Sequence, residues 1–243
     1  MWKCGKIVVE HKKTGIATGK NQPSAYAESI KTERKKQMKV LLINGSPHKA
    51  GTTSVALGEA AKTLKEEGVD CEIIHIGSEA IRGCTACGFC RTNPRCAIND
   101  SVNEVAEKFR DADGIIVGTP VYYASPNGTL LSFLDRLFHS TPFDKTMKVG
   151  AAVACARRGG CTASFDVINK YFTISGMPIA SSSYWNQVHG ANADDAIYDE
   201  EGLQTMRNLA RNMAFLIKSI EVGKREFGLP EKEKPIKTNF IKR

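Results

Sequence analysis

Cys84-Thr-Ala-Cys87-Gly-Phe-Cys90-Arg-Thr-Asn-Pro-Arg-Cys96 places four cysteines within thirteen residues of a 243-residue chain. Thiolates are soft donors, and CxxCxxC spacing with a fourth cysteine after five residues forms a short sleeve able to wrap one metal cluster. Upstream, Gly45-Ser46-Pro47-His48-Lys49-Ala50-Gly51-Thr52-Thr53-Ser54 joins an apolar run to a helical pattern. Glycines and hydroxyls before a helix start offer backbone N–H groups and a favourable dipole to a phosphate-sized anion. The run lacks the Gly-Lys-Ser/Thr ending of a Walker loop and is not GxGxxG, and a turn before a capped helix would also satisfy it.

Two further segments carry chemistry. Thr119-Pro-Val-Tyr-Tyr-Ala-Ser-Pro-Asn-Gly128 sets two adjacent tyrosines between prolines. Such a loop gives a planar heteroaromatic ring a stacking surface, or its tyrosines simply cover neighbouring helices. Ala156-Arg157-Arg158-Gly159-Gly160 brings guanidinium groups and permissive glycines to another strand end. There they would face developing negative charge or water. The five histidines, among them His48, His75, His139 and His189, form neither a Ser-His-Asp spacing nor HExxH, so hydrolase chemistry has no support. Cys71 and Cys155 fall in apolar runs as buried small residues. Cys161 adjoins the third loop, and Cys4 lies in the N-terminal segment.

The elements that must position these loops alternate. Lys39–Asn44, Cys71–Ile76, Gly114–Thr119, Met147–Ala156 and Pro178–Ser183 read as strands. Thr52–Glu67, Ser101–Arg110, Gly128–Phe138, Thr162–Ile174 and Gly202–Ile220 read as helices. Strands apolar on both faces, alternating with helices, predict an α/β fold: a flavodoxin-like, doubly wound, five-stranded parallel sheet in order 2-1-3-4-5, with helices on both faces. Ligands of such sheets bind at the carboxyl ends of the strands flanking the switch point, where all three loops fall.

Composition bounds the rest. Hydrophobic residues at 42% and charged residues at 25% describe a globular domain. The net charge of +8 is concentrated: residues 1–37 carry +6 and the remainder +2. This predicts a basic, disordered extension over 1–37, a domain over 38–222 and a charged tail over 223–243. The body has no basic stripe interleaved with aromatics, so the pattern argues against nucleic-acid binding. With neither an apolar span nor a secretory h-region, the chain reads as cytoplasmic, away from membranes, with its cysteines as thiols, ligands or redox groups.

Taken together, Gly45-Ser46-Pro47, Gly51-Thr52-Thr53, the stretch TPVYYASPNGTLLSFLDR from Thr119 to Arg136, and ARRGG from Ala156 resemble the FMN-binding segments of the NADPH-dependent FMN reductase family. The cysteine run resembles that of its iron-sulfur flavoprotein branch. The resemblance covers roughly Met38 to Ile220, and residues 1–37 have no counterpart in it. It implies that Ser46, His48, Thr52 and Thr53 hold the FMN phosphate. Pro120, Val121, Tyr122 and Tyr123, with Arg157, Arg158, Gly159 and Gly160, would line the isoalloxazine.

Cys84, Cys87, Cys90 and Cys96 would hold a [4Fe-4S] cluster, with zinc or a metal-free redox thiol set as alternatives. No proline follows Cys96, unlike the bacterial ferredoxin run. The implied activity is electron transfer from NAD(P)H, or from a reduced carrier such as ferredoxin, to small quinone, azo or flavin acceptors. The flavin would carry the chemistry with no catalytic side chain, in a homodimer or homotetramer. The rival reading is a non-catalytic electron carrier or redox sensor built on the cysteine run.

Overall fold

The structure, a computed structural model, describes residues 37–238. The expectation of a basic extension therefore lies, apart from Gln37, outside the described residues. β1 (Lys39–Asn44) is the hydrophobic centre, because Val40 to Ile43 are all fully buried. Residues on alternate sides of such a strand face opposite layers. Leu42 packs with Leu57 and Leu64 of α1 (Thr52–Glu66) and Met206, Leu209 and Met213 of the long α6 (Glu200–Phe227). Leu41 and Ile43 pack the other way. They meet Phe109 of α2 (Ser101–Asp111), Phe133 of α3 (Gly128–Ser140) and Phe172 of α4 (Cys161–Ile174).

β2 (Asp70–His75) and β3 (Gly114–Tyr122) flank β1 in parallel register, with Leu42 opposite both Ile73 and Ile116. β5 (Val149–Ala156) pairs with β3, and β6 (Gln187–His189) closes the far edge. The order β2-β1-β3-β5-β6 is the expected doubly wound order. The additional strand, β4 (Ser125–Pro126), folds back antiparallel on the end of β3. A short α5 (Ala193–Ala196) precedes α6.

Three boundaries differ from the sequence reading by more than two residues. The third strand does not stop at Thr119 but continues to Tyr122, because the segment beyond it forms a hairpin rather than an open loop. The edge strand is Gln187–His189, and Pro178–Ser183 contributes one bridge, Ile179 to Gly150. Ser182 Oγ donates instead to the Thr205 carbonyl, and the Ser181 carbonyl accepts from Asn212, both on α6. Asn186 Nδ2 fills the interrupted ladder by donating to the Ala152 carbonyl at 3.0 Å. The closing helix passes Ile220 and Gly223 and stops at Phe227, so its last turns occupy the start of the expected tail.

Candidate functional site

Asn44, Gly118 and Val153 lie side by side in β1, β3 and β5, so the three candidate loops leave adjacent strands at one rim. The first loop is tightly built. The Asn44 side chain accepts from the Ser46 N–H at 3.0 Å, Ser46 Oγ accepts from the His48 N–H at 3.2 Å, and the Gly45 N–H donates to the Gly118 carbonyl. The chain leaving β2 presses on this loop at Gly77, where a Cβ would sit 2.1 Å from the Ser46 carbonyl oxygen.

Of the expected phosphate residues, Ser46 and Thr53 are buried beneath the loop, and His48 stands in solvent. Thr52 Oγ1 donates to the Gly190 and Asn192 carbonyls, both at 3.1 Å, tying the loop to the segment after β6. What the loop presents outward is therefore backbone N–H with the exposed His48 and Lys49 beside it.

The second loop is a two-residue hairpin turn. Tyr123 and Ala124 take φ of 51° and 59°, a left-handed pair that costs non-glycine residues energy and concentrates at functional sites. The turn holds the Tyr123 ring fully in solvent with Tyr122 half-exposed, while Pro120 and Val121 are half-buried at the end of β3. The third loop closes on this hairpin through Gly160. Its φ is +97°, and a Cβ there would lie 2.7 Å from Val121 Cγ1. Arg157, Arg158 and Gly159 are exposed beside it.

Helix starts separate this rim from the rest of the fold. α2, α3, α5 and α6 open with Asp100, Asn127, Asn192 and Asp199, each accepting a backbone N–H. α1 and α4 open instead on Gly51 and Gly160, with no side-chain cap and no acidic residue in the first turn. Two uncapped positive helix ends thus point into the rim, a feature suited to an anion. Cys161, next to the third loop, turns inward, with Sγ 3.7 Å from the Ala154 carbonyl. Burial, with Asp199 nearby, pushes its thiol up to about 11, and burial pushes that of Cys155 up to about 12. Neither is a thiolate at neutral pH.

The cysteine segment runs from the end of β2 to α2 with one 3-10 turn, Phe89–Arg91. Cys84 and Cys87 are exposed and Cys90 and Cys96 half-buried, and all seven described cysteines are free thiols. Among the described residues, no three His, Cys, Asp or Glu side chains are placed to hold a metal ion. The donor chemistry nevertheless suits thiolates. The Phe89 amide draws the Cys87 thiol below its ordinary value, and Arg136 Nε donates to Cys96 Sγ at 3.3 Å. Arg136 closes the Thr119–Arg136 motif, and the sequence signal of its buried role is a lone arginine among the apolar residues of α3.

Beyond the edge strand, Tyr184 and Trp185 pack edge to face at 5.0 Å and border a recess of about 220 Å³ with Gln187, His189 and Asp199.

Comparison with known proteins bears on the family and the fold. The pattern of the family described as NADPH-dependent FMN reductase matches residues 38–192. An iron-sulfur flavoprotein of Methanocaldococcus jannaschii is 34% identical over 195 residues, spanning 76% of this chain and all of the relative. One from Methanosarcina thermophila is 32% identical over 188 residues, covering 76% of this chain and 97% of its own. Among solved structures, RosB with a bound formylriboflavin phosphate intermediate superposes with a TM-score of 0.62 at 13% identity, over 84% of this chain and 92% of that one. A flavodoxin from the domain Archaea gives 0.52 at 16% identity, over 74% and 99%. The chain belongs to the NADPH-dependent FMN reductase family, in its iron-sulfur flavoprotein branch.

Proposed function

We propose that this FMN-binding oxidoreductase passes electrons from NAD(P)H or a reduced carrier to small quinone, azo or flavin acceptors, with a [4Fe-4S] cluster on Cys84, Cys87, Cys90 and Cys96. The observation that carries the reading is the pairing of uncapped α1 and α4 at the rim shared by the tyrosine hairpin. Backbone N–H groups at Gly51 to Thr53 bind the phosphate, with His48 beside them. Pro120 to Tyr123 supply the wall against which the ring lies. Arg157, Arg158 and the start of α4 stabilise negative charge at the pyrimidine edge, as oxyanion sites do. Bound FMN supplies the exchange between two-electron and one-electron carriers. The exposed hairpin leaves the ring face open, so acceptor choice is loosely set.

Exposed Cys84 and Cys87 favour a second reading, a carrier or redox sensor in which the cysteine run responds to oxidant. The unpaired cysteines support a reducing compartment, the cytoplasm. Among the described residues no helix is long and apolar enough to cross a membrane. Phe215 and Val222, exposed two turns apart on one face of α6, support self-association as a homodimer or homotetramer.

Flavin and iron quantitation with a visible spectrum, on anaerobically prepared protein, tests both cofactors. Colourless protein that refuses added FMN overturns the reading. Turnover of NAD(P)H with soluble acceptors supports the enzyme, whereas reduction by ferredoxin alone supports the carrier.

A further inference from the structure

Arg136 is the largest fully buried side chain of the described residues, and a buried guanidinium persists only when its charge and donors are met. Nη1 donates to Asp100 Oδ2 at 2.6 Å and to the Arg82 carbonyl at 3.1 Å. Nη2 donates to Asp100 Oδ1 at 2.7 Å and to the Ile98 carbonyl at 3.1 Å. Nε completes the set on Cys96 Sγ. All five acceptors lie between residues 82 and 100, a stretch with almost no regular structure of its own.

Asp100 also caps α2 through the Val102 N–H, so one bidentate pair fastens α3, α2 and the cysteine segment together. Asn103 completes the grip. Its Oδ1 accepts the Cys96 N–H at 2.9 Å, and its Nδ2 donates to the carbonyls of Cys96 and Ile98 at 3.2 Å. Cys96 is thus held at amide, carbonyl and sulfur, while Cys84 and Cys87 stand exposed.

We propose that Arg136 is the positioning residue of the cysteine segment: it fixes Cys96 as a preformed anchor, and its Nε–H raises the reduction potential of the cluster bound there. The anchoring half stands on the hydrogen bonds alone, and the potential half rests on the cluster reading above. A donor on a ligand sulfur disperses negative charge and favours the reduced, more negative state, so its loss lowers the potential. α3 begins directly after the tyrosine hairpin, so the same helix that frames the flavin rim sets the thiols.

The test uses full-length, FMN-loaded Arg136→Lys, which keeps a charge for Asp100 but loses the fork and the Nε donor. Amide hydrogen exchange across 82–100 should quicken at least tenfold, with β1, β3 and β5 amides and FMN stoichiometry unchanged. After anaerobic reconstitution, iron per flavin should fall by half or more, and the midpoint of the retained cluster, followed by paramagnetic resonance, should move negative of wild type. Unchanged exchange overturns the anchoring role, and full iron with an unchanged midpoint overturns the sulfur role. Should Arg136→Lys fail to fold, Asp100→Asn is expected to quicken the same exchange, and an unaltered pattern there has the same overturning force. Wild-type protein that takes up no iron defeats the cluster reading and the potential half with it, while the exchange measurement still decides the anchor.

Discussion

At the residue scale, Gly160 carries a requirement no other residue type meets cheaply. It needs a left-handed backbone and bare space against Val121, and both derive from the third loop closing on the hairpin. Gly160→Val should therefore destabilise the fold by roughly 1–3 kcal/mol and push the hairpin off its seat. FMN titration and thermal melts should show both losses. Gly159→Ala, where a Cβ meets nothing within 4 Å, should leave the melting temperature unchanged. Cys161 was singled out in the sequence because it adjoins this loop. Its thiol turns inward as a packing residue, because the α4 start sets the side chain beneath the rim. Cys161→Ala should leave NAD(P)H turnover within twofold of wild type in steady-state assays.

At the scale of elements, the helix starts carry the argument, and they allow binding to be moved with little change in stability. Gly51 has an extended backbone, φ −103° and ψ −171°, that an aspartate cap can adopt, while a Cβ there would press on His48 Cβ at 3.2 Å. The cap and the crowding oppose one another, so Gly51→Asp should leave the stability of the cofactor-free protein within about 1 kcal/mol of wild type. Its carboxylate would meanwhile repel a phosphate at the same helix end, weakening FMN binding by about tenfold, or ~1.4 kcal/mol. A nearly unchanged melting temperature with a raised Kd is the expected pair, and unchanged FMN affinity would remove the phosphate from α1.

The elements themselves were largely legible. Val40 to Ile43 and Ile115 to Val117 announce buried strands by unbroken apolar runs, and Asn99, Asp100 and Ser101 all offer caps at the start of α2, where Asp100 is the one that serves. The β3–β4 hairpin was not legible, since Tyr-Ala is not a turn pair that tolerates left-handed backbone cheaply. The edge strand was misplaced because Pro178–Ser183 has strand character, yet its serines bond to α6. Such tertiary partners leave no local pattern. Arg136 itself leaves a local mark as the lone arginine of α3, but its acceptors, mostly backbone carbonyls and a loop carboxylate dozens of residues away, leave none.

At the scale of the whole molecule, the described residues form one sheet between two apolar layers, and β5 contributes to both. Val153 and Cys155 face the layer of α1 and α6, and Ala152 faces that of α2, α3 and α4. Cys155 and Cys161 make this interior sensitive to alkali. Burial raises both thiols above the ordinary value of 9.0, to about 12 and about 11, so the unfolded chain loses these protons first as pH rises. The stability they contribute is therefore complete below pH 9 and lost progressively as pH climbs toward their folded values. Together this amounts to on the order of a few kcal/mol. Tyr171, raised by burial and by its hydrogen bond to Asp135, acts in the same direction at higher pH. Urea midpoints should hold level near pH 8 and then fall between pH 9 and 10.5. The Cys155→Ala, Cys161→Ala double variant, though less stable at pH 8, should show a much shallower fall over that interval. An equally steep decline in the variant would place the alkaline sensitivity elsewhere in the molecule.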